Sequence, residues 1–141
     1  MTTSAPRRMP RLSDHAPQGS LTLQTVPLPR DTNSGGDVFG GWVVSQMDIA
    51  AGTTAAQRAQ GRSATVAIDA LQFHAPVAVG DLFSVYTSIT RTGRSSITMH
   101  VEAWVKRQRT GEQVLVTEGD FTFVALEASG MTRPLPEAFM P

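Results

Sequence analysis

Gly40-Gly-Trp-Val-Val-Ser-Gln-Met-Asp-Ile-Ala-Ala-Gly-Thr-Thr-Ala-Ala-Gln-Arg-Ala-Gln60 is the stretch on which the fold turns. Val43, Met47, Ala50, Ala51, Thr54 and Ala55 recur at spacings of three and four, the period of a helix with an apolar side. Val44 and Ile49 extend that stripe around the cylinder, and Ala and Gly are so frequent that neighbouring backbone can come close. Such a helix suits the inside of a curled sheet better than a surface. Gly61 is the expected stop.

Working outward, four long segments rich in Val, Ile, Thr and Phe follow: Ser63 to Ala75, Asp81 to Thr92, Ser95 to Arg107 and Gln113 to Leu126. Their separators, Pro76-Val-Ala-Val-Gly80, Thr92-Gly-Arg94 and Thr110-Gly-Glu112, are short, so the last three strands are expected to form an antiparallel meander. Upstream, Leu21-Thr-Leu-Gln-Thr-Val-Pro-Leu28 alternates apolar and polar residues and reads as a first strand, with Pro27 placing its end at an edge. The order predicts an α+β domain, an antiparallel sheet of about five strands wrapped around one long central helix. That domain is expected over residues 20–128. Residues 1–19 mix Pro, Arg, Ser, Asp and Gly without period and read as a flexible tail. Residues 129–141 repeat that composition, with Pro134 and Pro136 excluding regular structure, and read as a second tail.

A chain of 141 residues is the size of one domain with one core. Twelve basic residues balance twelve acidic ones, so no global field favours nucleic acid or an anionic membrane. With no cysteine, disulfides, thiolate ligands and a Cys nucleophile are excluded. The start has no apolar leader and no run approaches the length of a membrane span, which leads to the expectation of a cytoplasmic protein. His15, His74 and His100 fall at no spacing that makes a metal site with nearby acids, and the latter two read as structural. The Gly-x-Ser-x-Gly elbow of serine hydrolases is missing.

The chemistry concentrates just before the helix, in Asp31-Thr-Asn-Ser-Gly-Gly-Asp-Val-Phe-Gly-Gly-Trp42. Asp37 is delivered to the brink of a helix opened by two glycines. A carboxylate there can handle water while helix-start N–H groups hold a developing oxyanion. Asp37 could instead be a mere helix cap, but Val38 and Phe39 separate it from the glycine pair, and glycines lower helix propensity where a cap gains nothing from them. Absent side chains at Gly40 and Gly41 would let a carbonyl reach the N–H groups of about Gly41 and Trp42. Asp48, two turns into the helix, and Asp69, among apolar strand residues, are the rival acids.

Three segments carry a resemblance: Gly36-Asp-Val-Phe-Gly-Gly-Trp-Val-Val-Ser-Gln-Met-Asp48, Thr65-Val-Ala-Ile-Asp-Ala-Leu-Gln-Phe-His-Ala-Pro-Val-Ala-Val-Gly-Asp81 and Gly93-Arg-Ser-Ser-Ile97. Together with Val101 to Val105 and Phe121 to Val124, they make residues 21–127 resemble acyl-CoA thioesterases of the hotdog fold, of the YciA and brain acyl-CoA hydrolase type. The resemblance implies that Asp37 is the catalytic carboxylate and that Asn33 helps to position water or substrate. It also implies a CoA contact at Arg94, Ser95 and Ser96, a guanidinium with hydroxyls suited to phosphate. Arg62, Arg91, Lys106 and Arg107 are possible companions, and Asp69 a supporting residue. The chain departs from the family pattern at Gly35, where a second Asn is common, and at Ala75, where a Lys is common.

The expected activity is hydrolysis of acyl-CoA to free acid and CoA, with no metal and no cofactor beyond the CoA of the substrate. A homodimer is the expected minimal unit, with a trimer of dimers as the assembly. Two alternatives come from other classes. One is a non-catalytic acyl-CoA sensor, disfavoured because a pure binder has no use for a buried charge at Asp37. The other is a hydratase or dehydratase, which usually relies on a His near the helix, whereas no His lies between Gly35 and Gln60.

Overall fold

In the computed structural model, which describes residues 15–138, β1 (Ser20–Thr25) leads through a 3-10 turn (Pro29–Asp31) to α1 (Gly40–Ala59). Then come β2 (Ser63–Phe73), β3 (Leu82–Thr92), β4 (Ser96–Lys106) and β5 (Gln113–Ala125). Residues 1–14, most of the N-terminal tail expected from the sequence, lie outside the described residues, as do 139–141. β1 stops at Thr25, short of the Leu28 read from the alternation, because Pro27 has no N–H to give a ladder.

All strand pairs are antiparallel and the sheet order is β1-β3-β4-β5-β2. The meander β3-β4-β5 forms as the short turns require, with Gly93 N–H on Ser96 O and Arg107 N–H on Glu112 O. The crossover through α1 separates β1 from β2, which therefore occupy opposite edges. Val43, Met47, Ala50, Ala51, Ala55 and Ala59 are buried on the inner face against Phe83, Val85, Met99 and Phe121. Small side chains let the sheet close on the helix, and the buried apolar side chains supply the main stabilisation. Thr54 from the stripe is half-buried instead, its hydroxyl 2.8 Å from that of Thr87, which is 2.7 Å from that of Thr22. The helix ends on Gln60 in the left-handed region, one residue before the expected Gly61.

Two segments cover what the sheet leaves open. Before β1 the chain crosses the outer face of β3 at Gly19, whose φ is +101° and where a Cβ would lie 2.3 Å from Thr87 O; only glycine passes there. Gln18 N–H then donates to Glu102 Oε1 at 3.1 Å. After β5, the stretch from Ser129 to Ala138 carries no helix or strand, yet it is tied to the helix end. Arg133 donates to Ala59 O at 2.7 Å and to Leu126 O at 3.0 Å, and Arg58 donates to Pro136 O at 2.6 Å. These guanidiniums satisfy carbonyls that a helix terminus and a loop leave over.

β1 and β2 are both edges, and Leu21 of β1 is 52% exposed, but β2 is the longer. Val66 is 57% and Phe73 55% exposed, and Ile49, on the flank where Asp48 of α1 accepts a bond from Thr65 of β2, is 54% exposed. The strand is irregular, with register shifts between Thr65 and Ala67 and between Asp69 and Gln72, where Ala70 adopts φ +52°.

Candidate active site

Asp37 owes its position to a small loop closed by Asn33. The Asn33 side-chain oxygen accepts from the N–H of Gly35 at 2.9 Å and of Asp37 at 3.2 Å, while Asn33 N–H donates to Asp37 O at 2.7 Å. Val38 N–H on Val77 O and Phe39 N–H on Asp31 O then fix the approach to the helix. Phe39 is the N-cap residue and no side chain caps the helix, so Asp37 is not a cap. Its carboxylate is exposed in the single chain, which removes the buried-charge argument against a sensor.

The helix start differs from the expectation in one donor. Trp42 N–H is engaged by Phe39 O at 3.1 Å, as is Val43 N–H at 3.3 Å. Trp42 is therefore corrected as an oxyanion donor, because the first turn tightens onto the Phe39 carbonyl. The N–H groups of Gly40 and Gly41 have no backbone partner among the described residues. Trp42 instead sets its ring edge-on to Phe83, centroids 5.0 Å apart.

A cavity of about 370 Å³ opens beside Asp37 and Gly40. Its walls are mainly apolar, with Val38, Val43, Phe73, Ala75, Pro76 and Val77, joined by the polar His74 and Thr117. The loop from Pro76 to Gly80 forms one side and is held by Asp81, a buried carboxylate that accepts from Ala78 N–H at 2.8 Å and pairs with Arg107. Arg107 also donates to Pro76 O at 3.1 Å. That corrects Arg107 as a companion for CoA: its guanidinium is committed to shaping this loop.

Asp48 is bonded to Thr65 at 2.7 Å and ties α1 to β2. Asp69 is exposed on the β2 edge, opposite Asp120 in register. Arg62, Arg94, Ser95 and Ser96 are not brought to Asp37 within one chain. Backbone bonds gather three of them at the other end of the helix, with Leu126 N–H on Arg62 O, Leu135 N–H on Arg94 O and Ala125 N–H on Ser95 O. Twenty helical residues separate the two ends, roughly 30 Å at 1.5 Å per residue.

Sequence reasoning missed Phe73 as a cavity wall. The available signal was alternation: Phe73 and His74 are neighbours near the end of an edge strand, so one must face the helix start. The Phe73 ring does, while His74 also lines the cavity and carries its imidazole Nε2 to Glu118 at 3.0 Å. Near Glu118 sits His100 as well, its Nδ1 3.2 Å from Asp120 and its Nε2 3.0 Å from Glu102. Burial alone would lower the His100 pKa; the bonds to Asp120 and Glu102 outweigh it and hold the imidazole above its ordinary value. His100 is thus built into β4 and His74 is held just past the end of β2, and among the described residues no group of three His, Asp or Glu side chains is arranged to hold a metal ion.

Known proteins give this geometry its context. The family model for the thioesterase superfamily matches residues 35–112. The acyl-CoA thioester hydrolase YciA of Salmonella typhimurium is 43% identical over 126 residues, spanning 87% of this chain and 95% of that protein. Among solved structures, HI0827, a hexameric broad specificity acyl-coenzyme A thioesterase, superimposes with a TM-score of 0.84 at 41% identity, covering 90% of this chain and 88% of that one. Cj0915, a hexameric hotdog fold thioesterase of Campylobacter jejuni, gives a TM-score of 0.80 at 33% identity, covering 84% and 91%. A helix enclosed by a five-stranded antiparallel sheet is the hotdog fold, and with this extent of match the chain belongs to the thioesterase superfamily.

Proposed function

We propose that the protein hydrolyses acyl-CoA to a carboxylic acid and CoA, with Asp37 as the reacting carboxylate. The observation that carries this reading is one cavity lined by both the exposed Asp37 and Gly40, at a helix start where the N–H groups of Gly40 and Gly41 have no backbone partner among the described residues. A thioester bound with its carbonyl oxygen at those N–H groups gains charge stabilisation as the oxyanion develops. Asp37 takes the proton of an attacking water, the C–S bond breaks, and the thiolate leaves with the electron pair and recovers the proton. In the covalent variant the carboxylate itself attacks, and water opens the resulting anhydride. Thiolate is a good leaving group, so neither route needs a metal or cofactor. Asn33 serves by holding the loop that aims Asp37.

The catalytic unit in this reading is a homodimer. β2, the longer of the two edges, runs from Ser63 at the Arg62 and Arg94 end to Phe73 at the Asp37 end. Antiparallel pairing of two β2 strands would set the Arg62 end of one copy beside the Asp37 end of the other, uniting carboxylate and phosphate contacts that a single chain keeps apart. Three such dimers give a hexamer, the state that HI0827 and Cj0915 carry in their descriptions. We place the enzyme in the cytoplasm, since a polyanionic nucleotide thioester does not cross membranes unaided. Among the described residues no helix is long and apolar enough to span one.

The test is thiol release from a panel of acyl-CoAs. Asp37→Asn should lower kcat by about 10²- to 10⁴-fold with KM nearly unchanged, the scale of a lost general base. Asp48→Asn, which removes the charge but keeps an oxygen that can accept from Thr65, should stay within a few-fold of wild type. Full turnover by Asp37→Asn would take Asp37 out of the mechanism.

A further inference from the structure

The phenylalanines of the sheet divide unequally. Phe83, Phe121 and Phe123 are buried in the core, whereas Phe73, the last residue of β2, is more than half exposed. It is nonetheless placed: its register partner is Thr117, whose side chain is buried, and its ring faces the helix start so closely that a Cβ on Gly40 would lie 3.4 Å from Cε1 and 3.6 Å from Cζ. The ring therefore forms a wall of the Asp37 cavity within contact of the glycine whose N–H would hold the carbonyl. Across from it stand Val38, Val43 and Val77, all buried and packed into the core cluster. Of these four side chains Phe73 alone lies at a strand end with a large face uncovered within one chain, at the end of the edge that pairs with its copy in the proposed dimer. A carbonyl held at Gly40 therefore has its substituents within reach of that ring.

Resting on the thioesterase reading, we propose that Phe73 is a specificity-determining residue that sets the acyl chain length the cavity accepts. Val38, Val43 and Val77 are fixed by the core and His74, Ala75 and Pro76 complete the lining, so the largest apolar side chain left to limit chain length in the roughly 370 Å³ of space is the Phe73 ring. A chain that fills the space against the ring gains apolar contact, and one that is longer must displace it. A single methylene in an apolar pocket shifts discrimination by about 10-fold or more. Removing most of the ring therefore changes the ratio between chain lengths, rather than the overall rate alone.

The experiment measures kcat/KM by thiol release for straight-chain acyl-CoAs of increasing length, using full-length wild type, Phe73→Leu, Phe73→Ala and Phe73→Trp. The expected result is a displacement of the preferred length: longer chains gain at least about 10-fold over short ones in Phe73→Ala, less in Phe73→Leu, and lose in Phe73→Trp. Ratios between substrates are independent of the fraction of active protein, so partial unfolding of one variant does not imitate the effect, and Phe73→Leu retains bulk if Phe73→Ala fails to fold. Sedimentation of the same samples reports assembly. The proposal is overturned if the variants scale every chain length by the same factor, or if Phe73→Ala dissociates the oligomer and leaves the length profile unchanged. No thiol release from any acyl-CoA by wild type would instead refute the thioesterase reading itself.

Discussion

Asp37 and His100 show how differently one chain treats its titratable side chains. Asp37 is left open to water on a loop closed by the Asn33 side-chain oxygen and by backbone bonds of Asn33 to Gly36 and Asp37. His100 is surrounded: Asp120 from β5 and Glu102 from its own strand bond it, Glu118 of β5 stands 3.7 Å away, and Glu118 in turn bonds His74. Because the folded-state pKa of His100 is raised above 6.5, its contribution to stability is fully present below that value and is lost as pH rises through the folded pKa. Thermal unfolding of wild type should therefore fall in midpoint as pH is raised from about 6 towards 8, and His100→Gln should flatten that slope. An unchanged slope in the variant would assign the pH dependence to other groups. Asp37→Asn should leave the slope alone, since Asp37 lies outside this cluster.

At the scale of elements, the helix and all five strands could be read from period and composition, because the core follows the three-and-four spacing of Val43, Met47, Ala50, Ala51 and Ala55. What could not be read were contacts between residues distant in sequence. Arg107 looks like a free cation in a strand-end run, and only the fold brings it to Asp81 across the Pro76–Gly80 loop. Trp42 N–H looked available because nothing in the sequence shows the first turn tightening onto Phe39 O. Composition likewise gave residues 129–141 as a tail, while Arg133 and Arg58 tie the part from Arg133 to Pro136 to the helix end. The Asp81–Arg107 pair gives the sharpest element-level test. Asp81→Ala leaves Ala78 N–H and a half-buried guanidinium without their acceptor, which should destabilise the fold by about 3 kcal/mol in denaturant unfolding, the scale for breaking a buried pair. Since that loop walls the Asp37 cavity, KM for acyl-CoA should rise as well. Arg133→Ala, at the opposite end of the helix, should cost about 1 kcal/mol or more for its lost bonds and leave the cavity loop intact.

For the whole molecule, the decisive question is how residues at opposite ends of a 20-residue helix could serve one reaction. An antiparallel dimer through β2 answers it, since its two-fold axis exchanges the ends of the strand. If each site takes Asp37 from one copy and Arg94 from the other, the two lesions should complement. Arg94→Ala alone should raise KM for acyl-CoA more than for a thioester lacking the nucleotide, and the difference should shrink at high salt. Asp37→Asn alone should lose turnover. When the two variants are unfolded, mixed in equal amounts and refolded together, half of the dimers pair one lesion with the other. Each mixed dimer then carries one doubly damaged site and one undamaged site, so at low acyl-CoA about a quarter of the wild-type activity should return. Sites built within single chains cannot complement, because every chain in the mixture carries a lesion. A mixture no more active than the mean of its two parents would therefore refute the shared site, whatever its sedimentation shows.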